Sequence, residues 1–150
     1  AKALIAEFRQ AQDKAEAAAF PPRAYPASEL LTAEAAPLIA TMFAAITRMI
    51  DEEEGLDATV DRKKLLKTMA DVRGNLAAAG SQLRLFVASG NAADRESFAT
   101  PYSKFKDALE ALKSRQELLT AAQKTALDAI AKAANSFAPL PARILRMKII

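Results

Sequence analysis

SQLRLFVASGNAADRESFATPYSKF, residues 81–105, decides the fold. Leu83 and Phe86 carry an apolar stripe into Ser89-Gly90-Asn91, where it stops. Phe98, Tyr102 and Phe105 then resume it at the same spacing of four and three. Glycine just past the last periodic residue is the usual helix stop, because it takes the left-handed conformation without a Cβ clash. A stripe that stops, turns within three residues and resumes predicts two helices folded back on each other.

Working outward, the stripe upstream is longer. Leu65, Met69, Val72, Leu76, Ala79, Leu83 and Phe86 are spaced 4, 3, 4, 3, 4, 3. That is the seam of a helix that packs at a shallow angle on a neighbour. The predicted helix covers about 57–89, with Gly55 ending the helix before it. That earlier helix spans about 29–54, carries Leu38, Met42, Ala45 and Met49, has Ser28 or Thr32 as its cap and Pro37 near its start. Downstream, a helix over 92–114 continues through Leu109 and Leu112, with Thr100-Pro101 either restarting or kinking it. Ser114-Arg115-Gln116-Glu117 and Thr120-Ala121-Ala122-Gln123 both fit a capping box, which predicts a tight turn near 114–120. The next helix runs to about 137 on Leu119, Gln123, Leu127, Ile130, Ala134 and Phe137. After Pro139 and Pro141, ARILRMKII resumes a helical pattern. At the front, residues 1–19 form a helix with a short apolar face, Leu4, Phe8, Ala11 and Ala15, and FPPRAYPAS (20–28) breaks it.

Short turns between heptad helices predict an all-α protein: an antiparallel up-down-up-down four-helix bundle with an extra N-terminal helix. The expected division is residues 1–27, an N-terminal helix and proline-rich linker, and residues 28–150, the bundle. Up-down order puts the turns at 55–57 and 114–120 at one end. The start of the second helix, the 89–91 turn and the C-terminus then share the other. Flanking membrane helices, if present, would attach at that second end. The apolar ILRMKII is read either as the approach to a membrane span or as a terminal helix packed on the bundle.

Composition fits. Of 150 residues, 36 are alanine and only 4 glycine, which suits helices packed closely on small residues. Having neither Cys nor His, the chain offers no thiolate, no Ser-His-Asp triad, no His-ligated haem and no His-containing zinc site. No enzyme, cofactor, metal site or catalytic residue is therefore expected. Net charge is +3, but Lys and Arg are spread among nearly as many acids (21 against 18), so no nucleic-acid partner is expected.

ADVRGNLAAAGSQLRLFVASGNAADRESFATPYSKFKDALEAL (70–112), LLTAAQKTALDAI (118–130) and SFAPLPARILRMK (136–148) resemble the extracytoplasmic sensor modules of bacterial methyl-accepting chemotaxis receptors and sensor kinases, of the four-helix-bundle or CHASE3-like type. The likeness lies in Arg84 and Phe86 before a Ser-Gly-Asn turn, then a charged stretch, Phe98, Tyr102 and a Leu-rich heptad, and it covers about residues 28–147. It implies a periplasmic domain of an inner-membrane protein, anchored by flanking helices and usually dimeric, that reads a small solute directly or through a periplasmic binding protein.

Candidate site residues are the polar groups inside apolar stripes. One register of the 57–89 helix reads Leu66, Met69, Arg73, Leu76, Gly80, Leu83, Val87, and Arg62 lies one step before the other. Thr120 and Gln123 begin the stripe of the last long helix. An arginine inside an apolar stripe must be paired or solvated. Arg73 first, Arg62 second, with Thr120 and Gln123 as neutral partners, would hold a small-molecule carboxylate, an organic acid. Otherwise the arginines pair with Asp or Glu on neighbouring helices, lie along the surface, or face a second copy in a homodimer. Asp51-Glu52-Glu53-Glu54 crowds acids at a helix C-terminus, where the helix dipole disfavours them. Arg62, Lys63 and Lys64 across the turn are the expected partners, with solvation or a divalent cation as the other possibilities. The functional expectation is a sensory domain that signals by small shifts in helix packing, and the alternative is a soluble Ala-rich scaffold or granule-coat protein.

Overall fold

A computed structural model describes residues 2–19 and 25–147. Among the described residues there is helix and no strand. Helix α1 is Lys2–Ala19. Helix α2, Tyr25–Leu30, passes through one π-turn, Leu31–Ala35, into α3, Ala36–Glu54. Then come α4 (Val60–Ser89), α5 (Ala92–Lys113), a 3₁₀ turn at Gln116–Leu118, α6 (Ala121–Phe137) and α7 (Leu140–Arg146).

The break expected at 20–28 is shorter than the prolines suggest. Part of it, 20–24, lies outside the described residues, and helix has already begun at Tyr25. Pro26 sits in the first turn, where a missing N–H costs nothing. Neither Ser28 nor Thr32 is a cap, because both lie inside the helical run. Ala27 is fully buried, so the expected boundary between residues 27 and 28 falls within packed structure. The π-turn explains how Pro37 is tolerated so far from the start. Its backbone signature is Ala36 N–H bonding Leu31 O, five residues back. Widening the helix just before a proline relieves the clash of its ring with the preceding turn. The whole run Pro26–Glu54 is long and apolar enough to cross a membrane by length and composition. Here Met42, Ile46 and Met49 from that run are sealed in the protein core.

Thr59 starts α4, its side-chain oxygen accepting from Arg62 N at 3.1 Å. At about 1.5 Å per residue α4 is about 45 Å long. Gly90 ends it with φ 66°, and its N–H bonds Phe86 O at 2.7 Å. Asn91 then caps α5 by accepting from Ala93 N at 3.0 Å. All seven seam residues from Leu65 to Phe86 are buried. Pro101 neither restarts nor ends the helix, since α5 runs through it. Of the two capping boxes only the second forms. Thr120 Oγ1 accepts from Gln123 N at 3.1 Å, while Gln123 Oε1 accepts from Thr120 N at 3.0 Å. Ser114 instead donates to Ala111 O, one turn back, and closes α5.

One core joins these pieces. The main packing is α4 along α5, α3 along α6 and α3 along α4. Tyr102 stacks on Phe98 and Phe105, and its ring meets Phe137 of α6 edge-on at 5.7 Å between centroids. Helix α7 folds back against α2, the π-turn, α4 and α6. Ile144, in ILRMKII, has no exposed surface, so that apolar segment packs on the body as far as Met147. The face of α1 behaves differently. Leu4, Ile5 and Phe8 are 72%, 57% and 69% exposed.

Candidate functional site

Three of the four expected site residues meet at one end of the molecule, and they meet around a carboxylate. Glu53 continues the α3 stripe of Ile46 and Ile50 at spacing four and three, which turns it inward. Its side chain is only 3% exposed. A buried ionised carboxylate needs both a counter-charge and hydrogen bonds. Arg62, across the α3–α4 turn, supplies the first with a two-pronged contact. Its Nε donates to Glu53 Oε2 at 2.6 Å and its Nη2 to Oε1 at 2.9 Å. Gln123 of α6 adds a third donor, Nε2 to Glu53 Oε1 at 2.8 Å.

The cluster extends to the backbone. Arg62 Nη1 donates to Leu118 O at 2.8 Å, which ties α4 to the 3₁₀ turn between α5 and α6. Gln123 Nε2 also donates to Met49 O at 3.2 Å. Its Oε1 takes the Thr120 N–H of the capping box and a longer contact from Arg62 Nη2 at 3.4 Å. Thr120 Oγ1 donates to Glu52 Oε1 at 3.2 Å. Thus α3, α4, α6 and both turns are tied by one polar layer. Burial pushes the Glu53 carboxyl up, but the hydrogen bonds from Arg62 and Gln123 and the guanidinium charge outweigh it, so its pKa falls below the usual glutamate value. The Glu53 bond raises the pKa of Arg62 against an opposing effect of burial.

The expected pairing of the acidic run with Arg62 is therefore what the structure contains, with Glu53 as the member that is buried. Arg62, Thr120 and Gln123 satisfy one another, and a carboxylate ligand here would have to displace Glu53. A small cavity beside the pair is lined by Glu54, Leu56, Asp57, Ala58, Lys63 and Leu66. Arg73 is not part of this group. Eleven residues further along α4, its Cα stands about 16 Å away. It is half-buried, and among the described residues it makes no ion pair within 4.0 Å. On the neighbouring helix, the hydroxyl of Thr47 is buried and, among the described residues, finds no hydrogen-bond partner. Leu118 O and Met49 O, backbone members of the layer, carry no signal in the sequence. Among the described residues no group of His, Cys, Asp and Glu is placed to hold a metal ion.

No known family model matches the chain, and neither the curated proteins nor the solved structures contain a match to it.

Proposed function

We propose that this chain is the periplasmic sensory domain of a bacterial transmembrane receptor, of the chemoreceptor or sensor-kinase kind. In this reading α3, α4, α5 and α6 form an antiparallel up-down-up-down four-helix bundle with α1 as an additional helix. The observation that carries it is the difference between the two ends. Turns α3–α4 and α5–α6 are bolted together by the Glu53–Arg62–Gln123 layer. At the opposite end α2 packs against α7, and Arg143 lies 3.8 Å from Glu34. The first and last helices of the packed body, α2 and α7, therefore lie side by side. That geometry suits a module hung from two membrane helices, with its bolted end away from the membrane.

Signalling then means a ligand that binds one packing of these helices better than another. Sliding or slight rotation is the motion long packed helices allow. With one end tied, displacement is greatest at the other, where α2 and α7 would pass it on. The ligand is a small organic acid. Arg73 is its anchor, because the Arg62 guanidinium already holds Glu53.

A thermal-shift screen of small carboxylates and amines on the purified chain tests this. A specific carboxylate at 100 times its Kd should stabilise by about 2.7 kcal/mol, or several degrees, and Arg73→Ala should remove the shift. An amine hit unaffected by Arg73→Ala would overturn the site. Failure of every small acid and amine would leave recognition through a binding protein, or a scaffold role, as the better account.

A further inference from the structure

An exposed face of α1 and an exposed face between α3 and α4 fit each other in relief and charge. The α3–α4 face follows from register. Gly80 of α4 lies against Ile39 of α3, so close that a Cβ there would stand 3.6 Å from Ile39 Cγ2. Arg84 folds back over the same spot, its Nη1 3.4 Å from that Cβ position. At this level the flank of α3 toward α4 reads Ala36, Ala40, Phe43, and that of α4 toward α3 reads Ala77 and Arg84, with half-buried Arg73 one turn beyond Ala77. Alanines make a shallow floor, and Phe43 stands out of it, 40% exposed. Among the described residues Arg84 has no ion pair within 4.0 Å.

Helix α1 offers the opposite relief. Leu4, Ile5 and Phe8 project from it unburied, and exposed Glu7 flanks them. We propose that α1 docks on the α3–α4 face of its own chain, antiparallel to α3. Leu4, Ile5 and Phe8 then cover Ala36, Ala40 and Phe43, and Glu7 pairs with Arg84. Three arguments favour this chain's own α1 over a second copy. Five residues separate α1 from α2 and span at most roughly 20 Å, enough for neighbouring helix axes about 8–10 Å apart. A short connection also makes antiparallel neighbours, so that α1 runs back beside α2, the π-turn and the first two turns of α3. Finally, so short a tether gives α1 an effective concentration on the order of millimolar, above any working concentration of a second chain. Reading back from that connection places Ile5 beside Ala40 and Glu7 on the α4 side near Arg84. The inference does not rest on the sensory reading, and under that reading a membrane helix ahead of α1 would approach along α3 and not beside α7.

The chain has no cysteine, so disulfide trapping is unambiguous. Ile5→Cys with Ala40→Cys should close within one chain under a mild oxidant at micromolar protein, about tenfold or more faster than Ile5→Cys with Asp128→Cys on the exposed face of α6. Arg84→Glu should slow closure several-fold, and adding Glu7→Arg should restore it. Disulfides formed only between two chains, or closure no faster than the α6 control, would overturn the proposal. An unchanged rate in Arg84→Glu would overturn the register.

Discussion

Arg62→Ala is the sharpest probe of the polar layer. The substitution leaves the Glu53 carboxylate 3% exposed, with Gln123 Nε2 as its remaining side-chain donor. Leu118 O loses its donor too. Breaking a buried ion pair by removing one partner costs about 3–5 kcal/mol. Arg62 itself is 20% exposed, so water can enter the space it leaves, and we expect about 2–4 kcal/mol. Removing the other charge should cost less. Glu53→Gln keeps shape and hydrogen-bonding capacity, and the Arg62 head can turn to solvent, so about 1–2 kcal/mol is expected. The assay is urea unfolding at pH 7, comparing midpoints at constant m. A double-mutant cycle on Glu53→Gln and Arg62→Ala should show coupling above about 1 kcal/mol. Additive losses within about 0.5 kcal/mol, or Arg62→Ala cheaper than Glu53→Gln, would refute the account of a buried charge held by this arginine.

Other outcomes follow from the same structure. The Glu53 pKa is lowered on folding, so its contribution is fully present above the unfolded glutamate value and drains away as pH falls through the folded one. Stability should therefore drop below about pH 4.5, and a pH series of urea melts on Arg62→Ala should lack that part of the drop. Leu76, in mid-seam and 3% exposed, should cost about 2–4 kcal/mol as Leu76→Ala. A loss under about 1 kcal/mol in a urea melt would mean the seam register is wrong. Gly74→Ala should stabilise by about 0.5–1 kcal/mol, because a Cβ there meets nothing within 4 Å. A lower midpoint would show that this face of α4 is covered by something else.

What the sequence discloses is periodicity, and periodicity was enough for the helices. Leu65 to Phe86 lie buried because a 3.5-residue stripe has one place to go. Gly90 and the Thr120–Gln123 box were legible because their chemistry serves backbone groups within a few residues. Glu53 was half legible. The acidic run pointed across the turn to Arg62, and the spacing Ile46, Ile50, Glu53 marks which acid turns inward. Leu118 O was not legible, since a carbonyl carries no side-chain signature. The early start at Tyr25 was hidden by prolines, which break a helix interior but not a first turn. The π-turn was hidden because it is a response of the backbone to Pro37 and to packing. Arg73 looked like Arg62 in the sequence, each an arginine in an apolar stripe. Only the turn geometry separates the one that finds a carboxylate from the one that, among the described residues, does not.

Why an alanine-rich helical protein should keep a buried ion pair is a question about uniqueness as much as stability. Heptad seams of Ala, Leu, Ile and Met offer little resistance to a slip by one turn, because one small apolar residue replaces another. A polar layer resists, since a slipped Glu53 or Gln123 would be buried with its partners out of reach, a penalty of roughly 1–3 kcal/mol per group. Each contact in the layer demands one register: Glu53 with Arg62, Arg62 with Leu118 O, Gln123 with Met49 O. The double variant Glu53→Leu, Arg62→Leu tests this directly. Buried pairs replaced by apolar residues are often neutral or better in stability, so the urea midpoint should stay within about 1 kcal/mol of the parent or rise. Uniqueness should suffer instead, seen as doubled or broadened amide resonances from α3, α4 and α6 in a nitrogen–proton correlation spectrum. Sharp single resonances at unchanged stability would show that packing alone fixes the register. A midpoint loss as large as that of Arg62→Ala would show that the layer is held for its energy and not for its specificity.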